Sequence, residues 1–263
     1  MSETLLDAIL EPGGLSVVFQ PIFEVAPGTR RLHAYECLMR GPQGTNMESA
    51  NILFDYVRRK REEPRVDRAC AELALREAAR LPAEARINVN VHASTLGRDP
   101  EFLVFLGDTA DINGIAPERL TVEIVEHAPP WDGPTFLNAL GALRSIGARI
   151  ALDDVGLGQS NFRMILECRP DYFKVDRYFA AGVHADYHRQ AVFESVSQLA
   201  RRFGGRVVAE GVESETDLTA LIRLEVDLVQ GHLFSPARTL AALAEDAALD
   251  RVASAEPAPG RAR

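Results

Sequence analysis

The chain is predicted to fold as an α/β protein, a (β/α)8 TIM-type barrel with one antiparallel strand near its N-terminus. Eight strand-like apolar runs occur, and the last six alternate with helical segments, which is the pattern of a parallel sheet. The first two runs are joined by the short turn Ala26-Pro27-Gly28-Thr29, which indicates an antiparallel start. The length of 263 residues suits one barrel, since such barrels have about 250 residues.

The predicted elements follow from hydrophobic periodicity, taken in chain order. Val17–Val25 contains Pro21, which indicates an edge, a bulge or an irregular closure of the barrel. The other predicted strands are Leu32–Arg40, Arg86–Val91, Leu120–Glu126, Arg149–Val155, Tyr172–Asp176, Val207–Val212 and Leu228–Gly231. The predicted helices are Ser49–Lys60, Arg65–Arg80, 101–112, 134–147, 160–167, 186–203, 215–224 and 238–247.

An open doubly wound sheet is the alternative fold for the same alternation. That fold usually places a glycine-rich phosphate loop after an early strand, and the sequence has none there. Gly156-x-Gly158 lacks a third glycine and follows two acidic residues, so it is a poor dinucleotide fingerprint. The barrel therefore remains the predicted fold.

Composition places the chain among ordinary globular proteins, with 46% hydrophobic and 25% charged residues. The net charge of −9 argues against a nucleic-acid polymer or an anionic membrane as partner, and no apolar run would span a bilayer. The three cysteines lack metal-type spacing and predict free thiols in a reducing cytoplasm. We expect a lead-in over 1–14, the barrel over 15–248 and a disordered tail over 249–263.

Polar residues recur near the carboxyl ends of seven predicted strands, each embedded in apolar neighbours. In a barrel of this kind the chemistry lies at that end, so a repeated acid, amide or lysine there predicts one shared site. The residues are Glu36, Asn90, Glu123, Asp153, Asp154, Lys174, Asp176, Glu210, Glu213 and Gln230.

The adjacent acids Asp153 and Asp154 are the strongest sign of a metal site. They follow the apolar run Ile150-Ala151-Leu152, where two carboxylates would repel each other and lose hydration unless a cation lay between them. Oxygen ligands without cysteine or histidine favour Mg²⁺ or Mn²⁺. The number of carboxylates favours two ions that share a bridging aspartate, an arrangement suited to phosphoryl displacement. Lys174 would orient the water or neutralise charge in the transition state.

The same residues resemble the EAL family of cyclic di-GMP phosphodiesterases over about residues 15 to 237. The matching motifs are Phe19-Gln20-Pro21-Ile22, Tyr35-Glu36-Cys37-Leu38-Met39-Arg40, Val89-Asn90-Val91, Glu123-Ile124-Val125-Glu126, Leu152-Asp153-Asp154-Val155-Gly156, Lys174-Val175-Asp176, Ala209-Glu210-Gly211-Val212-Glu213 and Gln230-Gly231. Each motif alone is weak, but their order and spacing together are highly specific.

The resemblance implies a role for each of these residues. Glu36, Asn90, Glu123 and Asp153 match the ligands of one metal, and Asp153, Asp154 and Glu210 match those of a second. Lys174 and Glu210 match catalytic positions beside the attacking water. Glu126 matches a glutamate that, in the family, steadies the loop after the second aspartate of the pair, here Asp154. Substrate-binding positions are matched by Gln20, Leu38, Arg40, Asp176, Glu213 and Gln230, with Arg40 facing a phosphate.

The activity implied is hydrolysis of cyclic di-GMP to linear 5′-pGpG with two Mg²⁺ or Mn²⁺ ions, in bacterial second-messenger signalling. The resemblance also implies a homodimer, and regulation by a separate sensor or regulator protein is expected. Val155 and Gln159 depart from the family pattern, which has Phe and an aromatic residue in this loop, and Cys37 replaces an Ala. The replacement at Cys37 is a tolerable change of one small residue for another, but the altered loop favours the alternative of a catalytically weak or inactive cyclic di-GMP receptor or scaffold protein with the same barrel. The third and least favoured alternative is an unrelated metal-dependent barrel enzyme, such as a lyase acting through an enediolate.

Overall fold

The computed structural model describes residues 5–125, 133–157 and 162–245. Within these ranges eight strands form a closed barrel in sequence order. The strands are β1 (Ser16–Ala26), β2 (Thr29–Arg40), β3 (Arg86–His92), β4 (Leu120–Val125), β5 (Arg149–Leu152), β6 (Tyr172–Val175), β7 (Arg206–Ala209) and β8 (Leu228–Val229).

The strand directions confirm the predicted fold. Strand β1 runs antiparallel to both of its neighbours, β2 and β8. All pairs from β2 to β8 are parallel, as helical crossovers require. The register of the β1–β2 pair shifts between Ile22 and Phe23, close to Pro21, so of the alternatives that this proline indicates the strand pair shows a bulge or irregularity. The chain is therefore a (β/α)8 barrel with one antiparallel strand near its N-terminus.

Helices cover the outside of the barrel and connect the parallel strands. They include two short helices that sequence periodicity did not predict, directly after β3 and after β6. The helices are α1 (Leu5–Leu10), α2 (Ala50–Lys60), α3 (Glu63–Ala78), α4 (Ala93–Arg98), α5 (Phe102–Ile112), α6 (Gly133–Ser145), α7 (Phe162–Cys168), α8 (Arg177–Ala180), α9 (Tyr187–Phe203), α10 (Glu215–Arg223) and α11 (240–245).

Three strands end two or three residues earlier than predicted, and after two of them the backbone passes through a residue of positive φ. Strand β5 ends at Leu152, before the Asp pair, and Asp154 has a φ of 52°. Strand β7 ends at Ala209, shortly before Gly211 with a φ of 62°. Strand β8 consists of two residues only. The predicted polar residues of these strands therefore lie in the turns directly after them, where side chains can converge on the mouth of the barrel.

The barrel interior is layered along its axis. A small apolar cluster separate from the main core occupies the middle of the barrel: Ile22, Ala34, Ala151, Tyr172, Val208 and Leu228. Since side chains two residues apart lie on the same face of a strand, this layer lies directly below a polar layer. The polar layer consists of Gln20, Glu36, Asp153, Lys174, Glu210 and Gln230.

The main core lies between the barrel and its helices. Helix α1 belongs to it, since Leu6 and Ile9 are buried against the core, so the expected lead-in contains an ordered segment. All three cysteines are buried free thiols, as predicted. In the described ranges no helix is both long and apolar enough to cross a membrane. The expected disordered tail, 249–263, lies outside the described residues.

Candidate active site

Five predicted carboxylates converge at the carboxyl-terminal mouth of the barrel, although they come from four different strands. Glu36, Glu123 and Glu210 can each offer an oxygen so that all three atoms lie within 4.8 Å of one another. Asp153, Asp154 and Glu210 form a second such group. Glu210 belongs to both groups, so the two form one continuous cluster. We call these five residues the carboxylate cluster.

Lys174 lies at the centre of the carboxylate cluster and is almost completely buried, at 1% exposure. Its ammonium group contacts Glu123 directly and lies 2.7 Å from Glu210. It also lies 3.2 Å from Glu36 and 3.4 Å from Asp153. One buried positive charge therefore faces four carboxylates, so the cluster keeps a net negative charge that a cation would neutralise.

Amide side chains complete the site and fix the orientation of the carboxylates. Asn90 donates to Glu36 at 3.1 Å, and Asn88 donates to Glu123 at 3.3 Å. Gln230 donates both to Glu36 at 2.8 Å and to Gln20 at 3.0 Å. Because Glu36 and Glu123 accept these bonds from side chains of other strands, these two carboxylates are held before any ligand arrives.

The electrostatics of the cluster show repulsion between the acids. Burial and the neighbouring Glu36 raise the pKa of Glu123 well above its usual range. Loss of hydration raises the pKa of Glu210 to about 8, and burial together with Asp153 raises that of Asp154 to about 6. Burial acts to raise the pKa of Glu36 as well, but Lys174, Gln230 and Asn90 together outweigh burial, so the pKa of Glu36 is lowered. The four acids around Lys174 raise the pKa of this lysine against its burial.

Backbone hydrogen bonds continue past the strand ends and support the turns that carry the acids. The amide of Asp153 donates to Ile124 O at 3.3 Å, and that of Val155 donates to Lys174 O at 2.8 Å. The amide of Glu210 donates to Val175 O at 2.9 Å. The sheet ladder therefore holds each acid in register with its neighbour although the strand has formally ended.

Two cavities open on either side of the carboxylate cluster. The larger has a volume of about 500 Å³, and the smaller has a volume of about 310 Å³. Both are lined by Glu36, Leu38 and Asp153, which therefore lie where the two cavities meet. The arrangement provides a charged centre with one compartment on each side, which suits an elongated ligand with two similar halves.

The predicted substrate-binding residues are divided between the two cavities and their surroundings. The smaller cavity is lined by Gln20, Leu38, Asp176, Glu213 and Gln230. Arg40 lies at the end of β2, donates to Met39 O at 2.9 Å and lines neither cavity. Glu126 and Gln159 lie outside the described residues.

Residues that sequence reasoning missed form the far wall of the larger cavity. Asn51, Phe54, Asp55 and Arg58 come from α2, at the spacing of one helix face. The other missed residues are Asn88 and Asp67, of which Asp67 lines this cavity beside His92. The helical spacing was visible in the sequence, but nothing local showed that this face meets the mouth of the barrel.

The fold and the site define a (β/α)8 barrel whose carboxyl-terminal mouth holds an oxygen-rich cluster suited to hard divalent cations. The chain belongs to the EAL family, since the family model described as "EAL domain" matches residues 2–237. The family membership expected from the motifs is thereby confirmed.

Two curated proteins and one solved structure are similar to this chain over most of its length. The cyclic di-GMP phosphodiesterase NbdA of Pseudomonas aeruginosa is 30% identical over 255 residues, covering 93% of this chain and 31% of NbdA. The blue light- and temperature-regulated antirepressor BluF of Escherichia coli is 26% identical, covering 84% of this chain and 53% of BluF. The manganese/cy-diGMP complex of Klebsiella pneumoniae BlrP1 has a TM-score of 0.76 and 28% identity, covering 87% of this chain and 57% of that chain. This chain thus spans about a third to a half of the length of the two curated relatives.

Proposed function

We propose that this protein is a phosphodiesterase that hydrolyses cyclic di-GMP to linear 5′-pGpG with the help of two Mg²⁺ or Mn²⁺ ions. The observation that carries the proposal is the carboxylate cluster at the junction of two cavities. A cyclic dinucleotide has two nucleotide halves joined by phosphodiesters. One half would occupy each cavity while the scissile phosphate lies over the shared residues. The names of NbdA and of the BlrP1 complex support the same substrate.

The residues present fit a pair of hard cations. The donor set consists of carboxylate and amide oxygens, and the acids already approach one another within 4.8 Å in two groups. Glu36, Asn90, Glu123 and Asp153 would hold one ion. Asp153, Asp154 and Glu210 would hold the other, with Asp153 bridging. When bound, such ions lower the pKa of a water molecule and stabilise negative charge on phosphoryl oxygens.

The side chains of this protein would carry the proton and charge movements of the hydrolysis. Water attacks phosphorus while the bond from phosphorus to O3′ breaks, which leaves a 5′-phosphate and a 3′-hydroxyl. Glu210 would accept the proton of the water, since its carboxylate lies in the cluster 2.7 Å from the Lys174 ammonium group, beside the proposed position of the attacking water. Lys174 would orient the water and neutralise charge that develops in the transition state. The departing O3′ takes up a proton from solvent.

Substrate binding would be shared by the residues around the smaller cavity and by Arg40. Gln230 donates a hydrogen bond to Gln20 at 3.0 Å, and the amide groups of both side chains would contact the nucleotide. Leu38, Asp176 and Glu213 line the same compartment. Arg40 would face a phosphate after its side chain leaves Met39 O, and Glu126 would steady the loop after Asp154.

A cyclic di-GMP receptor or scaffold is the second candidate function. It is favoured by the name of BluF, which is that of an antirepressor. It is also favoured by Val155, which fills its buried position with less apolar volume than the Phe of the family pattern. In either case we propose a cytoplasmic homodimer that receives its input from a separate sensor or regulator protein.

Incubation of the pure protein with cyclic di-GMP and Mn²⁺, followed by chromatography, tests the proposal. Linear 5′-pGpG is the expected product with Mn²⁺ or Mg²⁺. Ca²⁺ should bind without turnover, because it is larger and less strict in its coordination geometry. Activity with Zn²⁺ but not with Mg²⁺ would contradict the assignment of hard-cation ligands. Tight binding of cyclic di-GMP without any product, in all four metals, would favour the receptor.

A further inference from the structure

A second polar layer closes the barrel interior at its amino end, below the small apolar cluster. Side chains two residues apart share a face of a strand, so the interior positions next in line towards this end form one layer. Its members are Glu24, Arg86, Thr121, Arg149 and Arg206, together with His33 and the Tyr172 hydroxyl. The layer holds three arginines and one acid, so positive charge prevails in it, whereas the carboxylate cluster at the other end is negative.

His33 reaches this layer because β2 carries an extra residue opposite β1. Ile22 pairs with Ala34, but the next residue of β1 pairs with Leu32, so His33 is skipped in the pairing. Its Nε2 lies 3.0 Å from the Tyr172 hydroxyl, and the two rings meet edge to face with centroids 5.5 Å apart. Strands β2 and β6 lie on opposite sides of the eight-stranded barrel, so this contact spans the interior and holds the layer together.

Two polar atoms of this layer are buried and unsatisfied. Nη1 of Arg86 and Oγ1 of Thr121 are both buried from solvent, and neither has a hydrogen-bond partner among the described residues. Thr121 is paired with Asn88 across β3 and β4, and Arg86 is two residues before Asn88, so both atoms come from neighbouring strands and face the same interior. A buried polar atom without a partner costs free energy, and a bound ion or other ligand is one of the reasons for which native proteins keep it.

Arg86 also lacks an ion pair within the ranges that the structure describes. The other arginines of this end each pair with an acid: Arg31 with Glu24, Arg149 with Asp171, and Arg206 with Glu24 and Asp227. Among these groups four arginines face three acids, which leaves the charge of Arg86 without a counter-ion. His33 responds to this excess, since burial lowers its pKa first and the charges of Arg206 and Arg86 lower it further.

We propose that this end of the barrel binds a phosphate-type oxyanion, to which Arg86 and the Thr121 hydroxyl donate from the interior. Arg149 and Arg206, whose side chains are 50% and 32% exposed, would meet the anion from the rim. A guanidinium binds two oxygens of a phosphate side by side, and a hydroxyl can donate to a third. A cation would be repelled here, and a neutral ligand would leave the charge of Arg86 uncompensated.

The apolar cluster limits how far a ligand can enter from this end. Ile22, Val208 and Leu228 lie directly above the layer, and their side chains offer no hydrogen bond. A compact tetrahedral anion is therefore favoured over a ligand that carries a sugar or a base into the interior. The same cluster separates this site from the carboxylate cluster, so the anion would take no part in the proposed hydrolysis.

Titration of the full chain with inorganic phosphate tests the site, with chloride used to keep the ionic strength constant. Calorimetry measures the Kd, and NMR follows the ring resonances of His33, which the spectrum of His33→Asn identifies. Phosphate should shift these resonances in the unaltered protein. Arg86→Gln should weaken phosphate binding by about 10- to 100-fold, because it loses charge-assisted hydrogen bonds. Arg76→Gln is the matched control, since its side chain is 57% exposed on α3, and it should leave the Kd unchanged.

Thr121→Val is the second variant, because it removes the hydroxyl and keeps the shape of the side chain. It should weaken phosphate binding by about three- to tenfold, the usual scale for one hydrogen bond between an uncharged donor and its acceptor. In chloride alone it should melt no lower than the unaltered protein, because an unsatisfied buried hydroxyl is gone. Thr121→Ser, which keeps the hydroxyl, should restore phosphate binding.

The outcomes decide whether the site exists and which anion it takes. Equal phosphate affinity in the unaltered protein, Arg86→Gln and Thr121→Val would overturn the proposal, as would a titration that leaves the His33 resonances unmoved. Glycerol phosphate distinguishes two sources of the anion. Tighter binding of glycerol phosphate would indicate a phosphorylated small molecule, whereas tighter binding of inorganic phosphate would indicate the free anion, and both results support the site. Hydrolysis of cyclic di-GMP does not enter this test, so a failure of the proposed function leaves its result unaffected.

Discussion

The two ends of the barrel differ in how their acidic and basic side chains are paired and buried. At the carboxyl end four acids of the five-residue carboxylate cluster surround the buried Lys174. At the amino end each acid has at least one arginine partner, and the charges are partly exposed. Arg149 pairs with Asp171 at 2.8 Å, and Arg206 pairs with Glu24 at 2.7 Å.

The difference shows which end the fold uses for function. Paired, partly exposed charges contribute little to stability and cost little. Buried charges of one sign are destabilising, and the pKa values of Glu123 and Glu210 are raised by burial first and by repulsion from neighbouring acids second. A protein retains such an arrangement where a ligand relieves it. The comparison predicts that substitutions at the carboxyl end change the rate, whereas equivalent substitutions at the amino end change only stability.

The largest effect is expected for Asp153→Asn. This substitution weakens the proposed bridge between two cations and should lower hydrolysis of cyclic di-GMP by about 10³-fold or more. Asp171→Asn is the matched control at the amino end, and it should keep the rate within about twofold. Steady-state rates of both variants with Mn²⁺ check this pair. Equal losses in the two variants would break the comparison between the ends.

The next effect is expected for Lys174→Ala. It should lower the rate by about 10²-fold while metal binding persists, because one electrostatic group is lost but every proposed ligand remains. Lys60→Ala, at the exposed end of α2, is the control for loss of a lysine. Rates and Mn²⁺ titrations by calorimetry separate the two properties. A normal rate in Lys174→Ala would remove this lysine from the catalytic set.

A smaller effect, on stability alone, is expected for Arg206→Gln. The substitution removes the ion pairs with Glu24 and Asp227, in which the arginine side chain is 32% exposed. The free energy of unfolding should fall by about 0.5 to 1 kcal/mol, as for other partly exposed pairs. Urea denaturation measures this loss. A rate that changed by more than about threefold would show that the amino end reaches the chemistry.

An effect of comparable size, confined to the pH dependence of stability, is expected for His33, which lies at the amino end and hydrogen bonds to the Tyr172 hydroxyl at 3.0 Å. Burial, assisted by Arg206 and Arg86, lowers the pKa of His33 to about 4 in the folded protein. The unfolded chain binds this proton near pH 6.5. Stability is therefore fully present above pH 6.5 and is lost as the pH falls from 6.5 towards 4.

The pH dependence of unfolding tests this linkage. Between pH 7 and 5 the unaltered protein should lose about 1 kcal/mol more than His33→Asn, a value reduced for partial exposure. Urea denaturation of both proteins at several pH values gives the two slopes. Identical slopes would show that His33 does not titrate at different pH values in the folded and unfolded states.

Much of this molecule follows from local sequence. The alternation of strands and helices predicts the barrel, because hydrophobic periods of 2 and 3.6 residues are read within one element. The polar strand ends predict the shared site, since closure of a parallel barrel brings all carboxyl ends to one mouth. Lys174 and the five acids were identified this way, and the structure places them together.

Other features were decided only by the tertiary structure. The Asp67–His92 pair joins residues 25 apart in sequence, and no local pattern distinguishes it from any other acid and histidine. The face of α2 that carries Phe54 and Arg58 reaches the cavity only because the helix packs over the mouth of the barrel. The early ends of β5 and β7 depend on the backbone at Asp154 and Gly211. Periodicity within an element fixes which face is buried, whereas these contacts depend on which elements become neighbours when the barrel closes.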